Sequence, residues 1–289
     1  MPLARMGQLA SAAQVQAMLD SGADLIVIHV GCGQLRQYCA IHIPGALYLD
    51  TAQLEQPPLF NKVDDGALLV LLLGLGIRHD SSVLLYGHDS LAPARAAHLM
   101  LYAGVSDVRM LDGGLAQWRA AGLACTSGPA PEPVPAQSFG RLFPACPQFM
   151  TSTAQARQDR AALVSVRTWS EFSGASSGYS YIAARGEIAG ARWGRAGREG
   201  DVNSMSQYQQ QDGCMLPPQA IERMWEAGAI VRSRPSVFYC GTGWRASLAF
   251  YYAWLMGWDQ ISVYDGGWYE WSADSANPVV IRVDQAVAA

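Results

Sequence analysis

One cysteine near the C-terminal end of the chain lies in a segment suited to nucleophilic chemistry. Cys240 follows a short apolar run and precedes the sequence Gly-Thr-Gly-Trp, Arg245 and a helical pattern. The glycines let this loop curl, which would turn backbone N–H groups inward and form an anion-binding nest at the start of a helix near Arg245. Such a setting favours a thiolate, which is the nucleophilic form of cysteine. We therefore predict that Cys240 is a nucleophile; the alternative is a buried structural cysteine.

The strands and helices that position this loop are predicted by the spacing of apolar residues. Four short apolar runs predict buried strands, at residues 83–86, 108–111, 237–239 and 261–264. Helical patterns follow near 93–103 and 246–256. Strands that alternate with helices indicate an α/β fold with a mostly parallel sheet flanked by helices. In such sheets, ligands bind beyond the carboxyl ends of the strands, where the Cys240 loop is expected.

An internal repeat divides the chain into two copies of one fold. Residues 83–118 align with residues 236–271 without a gap, at an offset of 153. The alignment pairs the Asp-Gly-Gly sequence at 112–114 with the same sequence at 265–267. Self-similarity at a fixed offset indicates duplicated structural units, so we predict two tandem domains.

The N-terminal copy lacks the chemistry of its partner. Gly87 stands at the position of Cys240, and Ala92 stands at the position of Arg245. Asp89, in the same loop, would repel an anion. We therefore predict that the N-terminal copy is catalytically silent.

A proline-rich stretch separates the copies. Residues 126–147 contain six of the fifteen prolines of the chain. Closely spaced prolines favour an extended connection and oppose helix or inner strand. The predicted domains are 1–125, which is silent, and 148–289, which is catalytic, with 126–147 as the linker.

Composition excludes several classes of function. The 289 residues are 50% hydrophobic and 15% charged, with a formal net charge of -4, which excludes a disordered chain. The acidic balance opposes nucleic-acid binding, which needs a basic surface. The longest apolar run, at 67–75, is too short for a membrane span, and the first eight residues lack a signal-peptide pattern. We expect a soluble cytoplasmic protein, or a periplasmic one if an export signal has been removed.

The remaining cysteines do not indicate a disulfide framework, because six cysteines are few for a chain of this length. His29, Cys32, Cys39 and His42 are four residues of types that bind zinc, but their spacing differs from the common zinc patterns. We expect these residues to be packing and loop residues, and we predict no metal site.

Two motifs together carry a family resemblance. The loop at 240–245, the Asp-Gly-Gly turn at 265–267 and the related segments at 42–46 and 187–191 resemble the rhodanese family of sulfurtransferases. The resemblance covers nearly the whole chain, as two rhodanese domains. The two motifs are similar to those of multi-domain bacterial thiosulfate sulfurtransferases.

This resemblance implies a two-step sulfur transfer without a metal or an organic cofactor. The Cys240 thiolate would attack the outer sulfur of thiosulfate, an anionic donor; sulfite would leave, and a persulfide would remain. A thiol or cyanide would then accept the sulfur. The N-terminal domain is expected to close one side of the active cleft. The implied substrate-binding residues of the loop are Gly241, Thr242, Gly243, Trp244 and Arg245.

Three charged residues outside the loop bear on substrate binding. Arg185 lies where mercaptopyruvate sulfurtransferases carry basic residues, so we expect it to contact an anionic donor. Arg167 follows a further predicted strand, the apolar run at residues 163–166. The more usual role of this arginine in the family is pairing with a carboxylate. Glu171 stands where some relatives place a substrate-binding arginine, so that contact does not carry over.

Three alternative functions stay open at this point. The sequence Cys-Gly-Thr-Gly also resembles the 3-mercaptopyruvate type of loop, although Arg245 departs from that pattern. Cdc25-like phosphatases and arsenate reductases share the fold type but use a Cys-x5-Arg loop, whereas this chain has Cys-x4-Arg. A non-catalytic rhodanese module that binds a partner is the third alternative.

Overall fold

The computed structural model describes residues 5–282, which form two five-stranded parallel sheets of identical strand order. The strands of the N-terminal copy are β1 (Leu9–Ala10), β2 (Leu25–Gly31), β3 (Leu47–Asp50), β4 (Glu55–Gln56), β5 (Asn61–Lys62), β6 (Ser82–Tyr86) and β7 (Asp107–Leu111). Its helices are α1 (Ala12–Asp20), α2 (Leu35–Ala40), α3 (Asp65–Gly74), α4 (Leu91–Ala103) and α5 (Gly114–Ala120). The parallel sheet has the order β1-β7-β6-β2-β3, and β4 and β5 form a separate antiparallel hairpin.

The C-terminal copy repeats this arrangement. Its strands are β8 (Met150–Thr151), β9 (Leu163–Ser165), β10 (Glu187–Ile188), β11 (Arg192–Trp193), β12 (Ser236–Tyr239), β13 (Ile261–Tyr264) and β14 (Val279–Val280). Its helices are α6 (Thr153–Gln158), α7 (Trp169–Ser173), α8 (Pro218–Ala227), α9 (Trp244–Leu255) and α10 (Gly267–Ala273). The parallel sheet has the order β8-β13-β12-β9-β11, while β10 and β14 pair antiparallel. Single 3-10 turns occupy Met6–Gln8, Thr51–Gln53, Pro147–Phe149 and Arg160–Ala162.

The predicted α/β fold with two mostly parallel sheets is confirmed. The four predicted strands are present within one residue of their expected bounds. Helix α9 begins at Trp244, one residue before the expected start, because the left-handed Gly243 (φ +102°) ends the loop and serves as the N-cap. In the described part of the chain, residues 127–146 form neither helix nor strand.

The two copies are joined through their central helices. Every residue of α4 is buried, and so is every residue of α9 after Trp244. These helices pack against each other, with the rings of His98 and Phe250 in edge-to-face contact at 4.8 Å between centroids. One hydrophobic core therefore continues from the first copy into the second.

Each copy also binds the Asp-Gly-Gly turn of the other. The Lys62 backbone N–H donates to Asp265 Oδ2 at 2.7 Å, and the Met215 backbone N–H donates to Asp112 Oδ1 at 2.8 Å. Lys62 and Met215 are separated by the same 153 residues as the two aspartates. Each copy thus makes the equivalent contact to the other, so the pair of contacts has approximate twofold symmetry. These contacts fix the cleft between the copies.

None of the helices found between residues 5 and 282 has the length and apolar character needed to cross a membrane.

Candidate active site

The Cys240 loop lies at the carboxyl end of the central strand β12, between that strand and helix α9. Strand β12 pairs with β9 on one side and β13 on the other, so the loop starts from the middle of the sheet. The Cys240 side chain is 1% exposed, and the Gly243 backbone N–H donates to its Sγ at 3.2 Å. The N-terminus of α9 begins directly after Gly243. The Gly243 N–H and the N-terminus of α9 therefore face the sulfur, an arrangement that stabilises negative charge.

Two positions of the loop require glycine, one because of close packing and the other because of its backbone conformation. A Cβ on Gly241 would lie 2.3 Å from the ring of Tyr179, and Gly243 has a φ of +102° that L-residues rarely adopt. The Gly241 N–H donates to the Tyr179 hydroxyl at 3.1 Å. The Gly241 N–H therefore holds Tyr179 against the loop, while the Gly243 N–H faces Cys240.

The residues that follow the Asp-Gly-Gly turn at 265–267 hydrogen-bond to the backbone of the Cys240 loop. The Trp268 N–H donates to the Cys240 carbonyl at 2.7 Å, and the Tyr269 N–H donates to the Gly241 carbonyl at 3.1 Å. These are N–H groups of the first turn of α10, which have no partner inside that helix. The carbonyls of Cys240 and Gly241 therefore point toward α10.

Arg245 is held within a buried ionic cluster. Its two terminal nitrogens donate to the two carboxylate oxygens of Glu171, both at 2.8 Å, and Nη2 also donates to the Tyr179 hydroxyl at 2.6 Å. Although burial alone would raise the pKa of Glu171, the charge and hydrogen bonds of Arg245 lower it to about 2. The guanidinium is therefore committed to fixing the loop, and both ends of the pair stay ionised.

Arg167 and Glu171, two of the three charged residues considered outside the loop, belong to the same ionic cluster. Arg167 is fully buried, with Nε 3.5 Å from Glu171 and Nη1 3.4 Å from Glu187. Its position fits the structural pairing that is usual for this residue in the family. Glu171, which replaces an arginine of some relatives, is the counter-ion of Arg245.

A cavity of about 520 Å³ opens above Cys240, between the two copies. Of the predicted site residues, Cys240, Thr242, Trp244 and Arg245 line it. The N-terminal copy supplies much of the opposite wall, through Cys32, Thr51, Ala52, Glu55, Pro57, Phe60 and Leu91. The remaining lining residues are Tyr179, Tyr181, Val202 and Asn203.

Arg185 is not brought to this cavity. Its side chain is exposed, and it does not belong to the cavity wall. It lies just before β10, on a segment whose inward-facing residues are Glu187 and Ile188. The expected contact between Arg185 and a donor bound at Cys240 has no geometric support in this structure.

Sequence reasoning expected the N-terminal copy to close one side of the cleft but did not identify the residues that do so. Glu55 accepts hydrogen bonds from Arg95 and from the indole of Trp244, and Arg95 also donates to Asp265 of the C-terminal copy. Phe60 packs edge-to-face with Tyr181 at 5.6 Å. No local motif marks Glu55 or Phe60, because both make their contacts across an interface that exists only in the folded protein. Arg95 stands where the second copy has Leu248, and this charged residue in place of an apolar one was the available signal.

The four zinc-type residues of the N-terminal copy do not converge on a cation site. His29 is buried among aromatic rings, including Tyr86 at 4.8 Å, while Cys32 is exposed. His42 stacks on Tyr38 at 4.1 Å. Between residues 5 and 282, no group of three or more His, Cys, Asp or Glu side chains is placed to hold a metal ion.

Comparison of the sequence with known proteins identifies its relatives. A family profile described as the rhodanese-like domain matches residues 11–121 and 150–274. The chain is 51% identical over 260 residues to the thiosulfate sulfurtransferase YnjE of Escherichia coli, which covers 89% of this chain and 59% of that protein. The chain thus spans about three fifths of that relative. It is 33% identical over 294 residues to a probable 3-mercaptopyruvate sulfurtransferase of Pseudomonas aeruginosa, covering 94% of this chain and 97% of that protein.

Solved structures show the same architecture. The crystal structure of YnjE superposes with a TM-score of 0.92 at 47% identity, covering 96% of this chain and 69% of that one. An anaerobic ergothioneine biosynthesis enzyme from Chlorobium limicola, solved with its natural substrate trimethyl histidine, superposes with a TM-score of 0.90 at 36% identity. That match covers 96% of this chain and 71% of the other.

Proposed function

The chain belongs to the rhodanese family, and from that premise we propose that it is a sulfurtransferase that carries sulfur as a persulfide on Cys240. The observation that carries the proposal is the position of the Cys240 sulfur, which receives the Gly243 N–H at 3.2 Å beneath a cavity of about 520 Å³. A buried sulfur of this kind is shielded from bulk water yet open to a small donor. The proposal is supported further by relatives that are named as sulfurtransferases.

Thiosulfate is the proposed donor. The Cys240 thiolate attacks the outer sulfur, the sulfur–sulfur bond of thiosulfate breaks, and its electron pair leaves with sulfite. The Gly243 N–H and the α9 N-terminus stabilise the negative charge on sulfur before and after this step. A thiol or cyanide then removes the outer sulfur and regenerates Cys240.

The test is the mass of the protein after treatment with thiosulfate. We expect one added sulfur atom, which peptide mapping assigns to Cys240, and loss of both the adduct and thiocyanate formation in Cys240→Ser. Cys125→Ser is the matched control, since Cys125 lies away from the cavity and should leave turnover normal. Full activity in Cys240→Ser would refute the proposal.

The donor could instead be 3-mercaptopyruvate, which the relative from Pseudomonas aeruginosa supports by its name. Side-by-side kcat/KM values for the two donors decide between them. The donor with the higher kcat/KM at equal Cys240 persulfide yield is assigned as the better substrate.

A second acceptor is favoured by one specific observation. Solved structures of EanB, which are 34–35% identical to this chain, include variants at a tyrosine 59 positions before its persulfide-carrying cysteine and at a threonine two positions after it, with ergothioneine or hercynine. Tyr181 and Thr242 stand at the same sequence distances from Cys240, and both line the cavity. Trimethyl histidine is therefore a candidate acceptor here, and formation of ergothioneine from persulfide-loaded protein is the test.

A further inference from the structure

One carboxyl group of the N-terminal copy faces the cavity that contains Cys240. Glu55 is the first residue of β4, and its side chain is 6% exposed. Among the described residues that line the cavity, it is the one carboxylate. A buried carboxylate needs hydrogen-bonding partners, and the partners of Glu55 come from both copies.

The two oxygens of Glu55 are held unequally. Oε1 accepts from Arg95 Nε at 2.8 Å and from Trp244 Nε1 at 2.9 Å. Oε2 receives the same indole N–H at 3.0 Å and has no other donor among the described residues. Since a carboxylate oxygen accepts two hydrogen bonds, Oε2 keeps capacity for a proton or a donor group from the cavity.

The charges around Glu55 suit a proton acceptor. Burial raises the pKa of Glu55, the neighbouring Arg95 opposes that rise, and Asp265 on the same guanidinium adds to it. The phenol of Tyr181, another titratable group of the cavity wall, interacts electrostatically with Glu55. A carboxylate whose pKa is raised toward neutrality is a better general base than an exposed one.

Transfer of sulfur to a thiol requires that the thiol lose a proton. An ordinary thiol has a pKa near 8.5 and is mostly protonated at pH 7, yet only its thiolate attacks. Arg245 is committed to Glu171, so it does not serve as a base, and the described wall residues offer no histidine. Glu55 is the wall group whose chemistry fits.

We propose that Glu55 is the catalytic base of the second half-reaction, in which a protonated thiol accepts sulfur from Cys240; this inference rests on the proposed function. Glu55 takes the proton from the acceptor thiol as the acceptor sulfur attacks the outer sulfur of the Cys240 persulfide anion, and that outer sulfur keeps its negative charge. The bond between that sulfur and Cys240 breaks, and its electron pair remains on Cys240 as the thiolate. The acceptor leaves as a persulfide, and Glu55 releases its proton to solvent. The N-terminal copy thus supplies a reacting group although Gly87 stands there at the position of Cys240.

The test separates the two half-reactions. Unaltered protein, Glu55→Gln and the exposed-site control Glu226→Gln are loaded with thiosulfate, freed of donor and mixed rapidly with an acceptor. Glutamine keeps an oxygen for Arg95 and Trp244 but cannot take a proton. With 2-mercaptoethanol at pH 7, we expect loss of the Cys240 persulfide to be about 100-fold slower in Glu55→Gln. With cyanide at pH 10.5, where the acceptor is already an anion, the rates should be equal.

The pH profile provides a readout that a structural role would not change. The difference between Glu55→Gln and unaltered protein should vanish above the pKa of the thiol, because no proton then remains to be removed. Equal slowing with cyanide, or no slowing with the thiol, would overturn the assignment. So would loss of persulfide loading in both Glu55→Gln and Glu55→Asp, since Glu55 would then act by holding the loop. If the unaltered protein takes up no sulfur, the proposed function fails and this inference fails with it.

Discussion

The guanidinium of Arg95 in the N-terminal copy lies 2.6 Å from Asp265 in the C-terminal copy. The same group donates to Glu55 at 2.8 Å, so one buried cation joins the cavity wall to the turn that supports the Cys240 loop. Its third nitrogen, Nη1, faces Gly243, where an added Cβ would lie 3.1 Å away. The copy that has Gly87 in place of Cys240 therefore helps to hold the Cys240 loop in position.

Replacing Arg95 should destabilise the protein and disorder the loop together. Arg95→Leu, which introduces the residue type of Leu248 at the equivalent position, leaves Glu55 and Asp265 buried without a cation. Breaking a buried ion pair in this way costs about 3–5 kcal/mol of unfolding free energy. Urea unfolding measures the loss, and exposed Arg36→Leu is the control.

A further variant checks the electrostatic cause. Adding Glu55→Gln and Asp265→Asn to Arg95→Leu removes the unpaired charges, so part of the lost stability should return. If Arg95→Leu alone unfolds at the same urea concentration as the unaltered protein, the cation does not hold the interface.

Much of the fold could be predicted from the sequence, because each element has a local cause. The apolar run before Tyr239, the glycines around Thr242 and the repeated Asp-Gly-Gly turn encode strand, loop and helix start within a few residues. The contacts across the cleft could not be predicted in this way. Glu55 and Arg95 are 40 residues apart and meet Asp265 only after both copies have folded, so no spacing in the sequence reports them.

Arg245 and Glu171 should behave as a coupled pair. Arg245→Lys keeps the charge but loses the planar fork that matches both oxygens of Glu171. A lost charge-assisted hydrogen bond costs about 1.5–3 kcal/mol, so we expect kcat for sulfur transfer to fall by about 10- to 150-fold. A double-mutant cycle with Glu171→Gln measures the coupling, and additive effects of the two substitutions would contradict the pairing.

Stability should fall as the pH is lowered from 6.5 toward 4. Burial, and then the charge of Arg95, lower the pKa of His98 to about 4; burial, with His88 and His42, does the same for His29. Between pH 6.5 and 4 the unfolded chain binds a proton at each histidine and the folded chain does not, so acid favours unfolding. Each site is worth about 3 kcal/mol at most across this window.

The contribution of His98 can be isolated by substitution. His98 Nε2 is 2.9 Å from the Phe149 carbonyl, and His98→Gln keeps a donor for that oxygen without a titrating group. Urea midpoints at pH 7, 6 and 5 should therefore drop less steeply in His98→Gln than in the unaltered protein. Parallel pH curves for the two proteins would show that His98 is protonated alike in both states.

The last prediction concerns how the anionic donor is bound. Arg185 is exposed and outside the cavity wall, whereas the Gly243 N–H and the N-terminus of α9 face the Cys240 sulfur. Arg185→Ala should therefore leave both KM and kcat for thiosulfate unchanged, contrary to the expectation from sequence. Gly243→Ala should act in the opposite way, because alanine disfavours a φ of +102° and shifts the N–H that bonds to Cys240. Loss of one such donor to a developing anion costs about 100- to 1000-fold in kcat. Thiosulfate kinetics of the two variants decide the matter: a raised KM in Arg185→Ala would return the anion anchor to that arginine and require the segment before β10 to move toward the cavity when the donor binds.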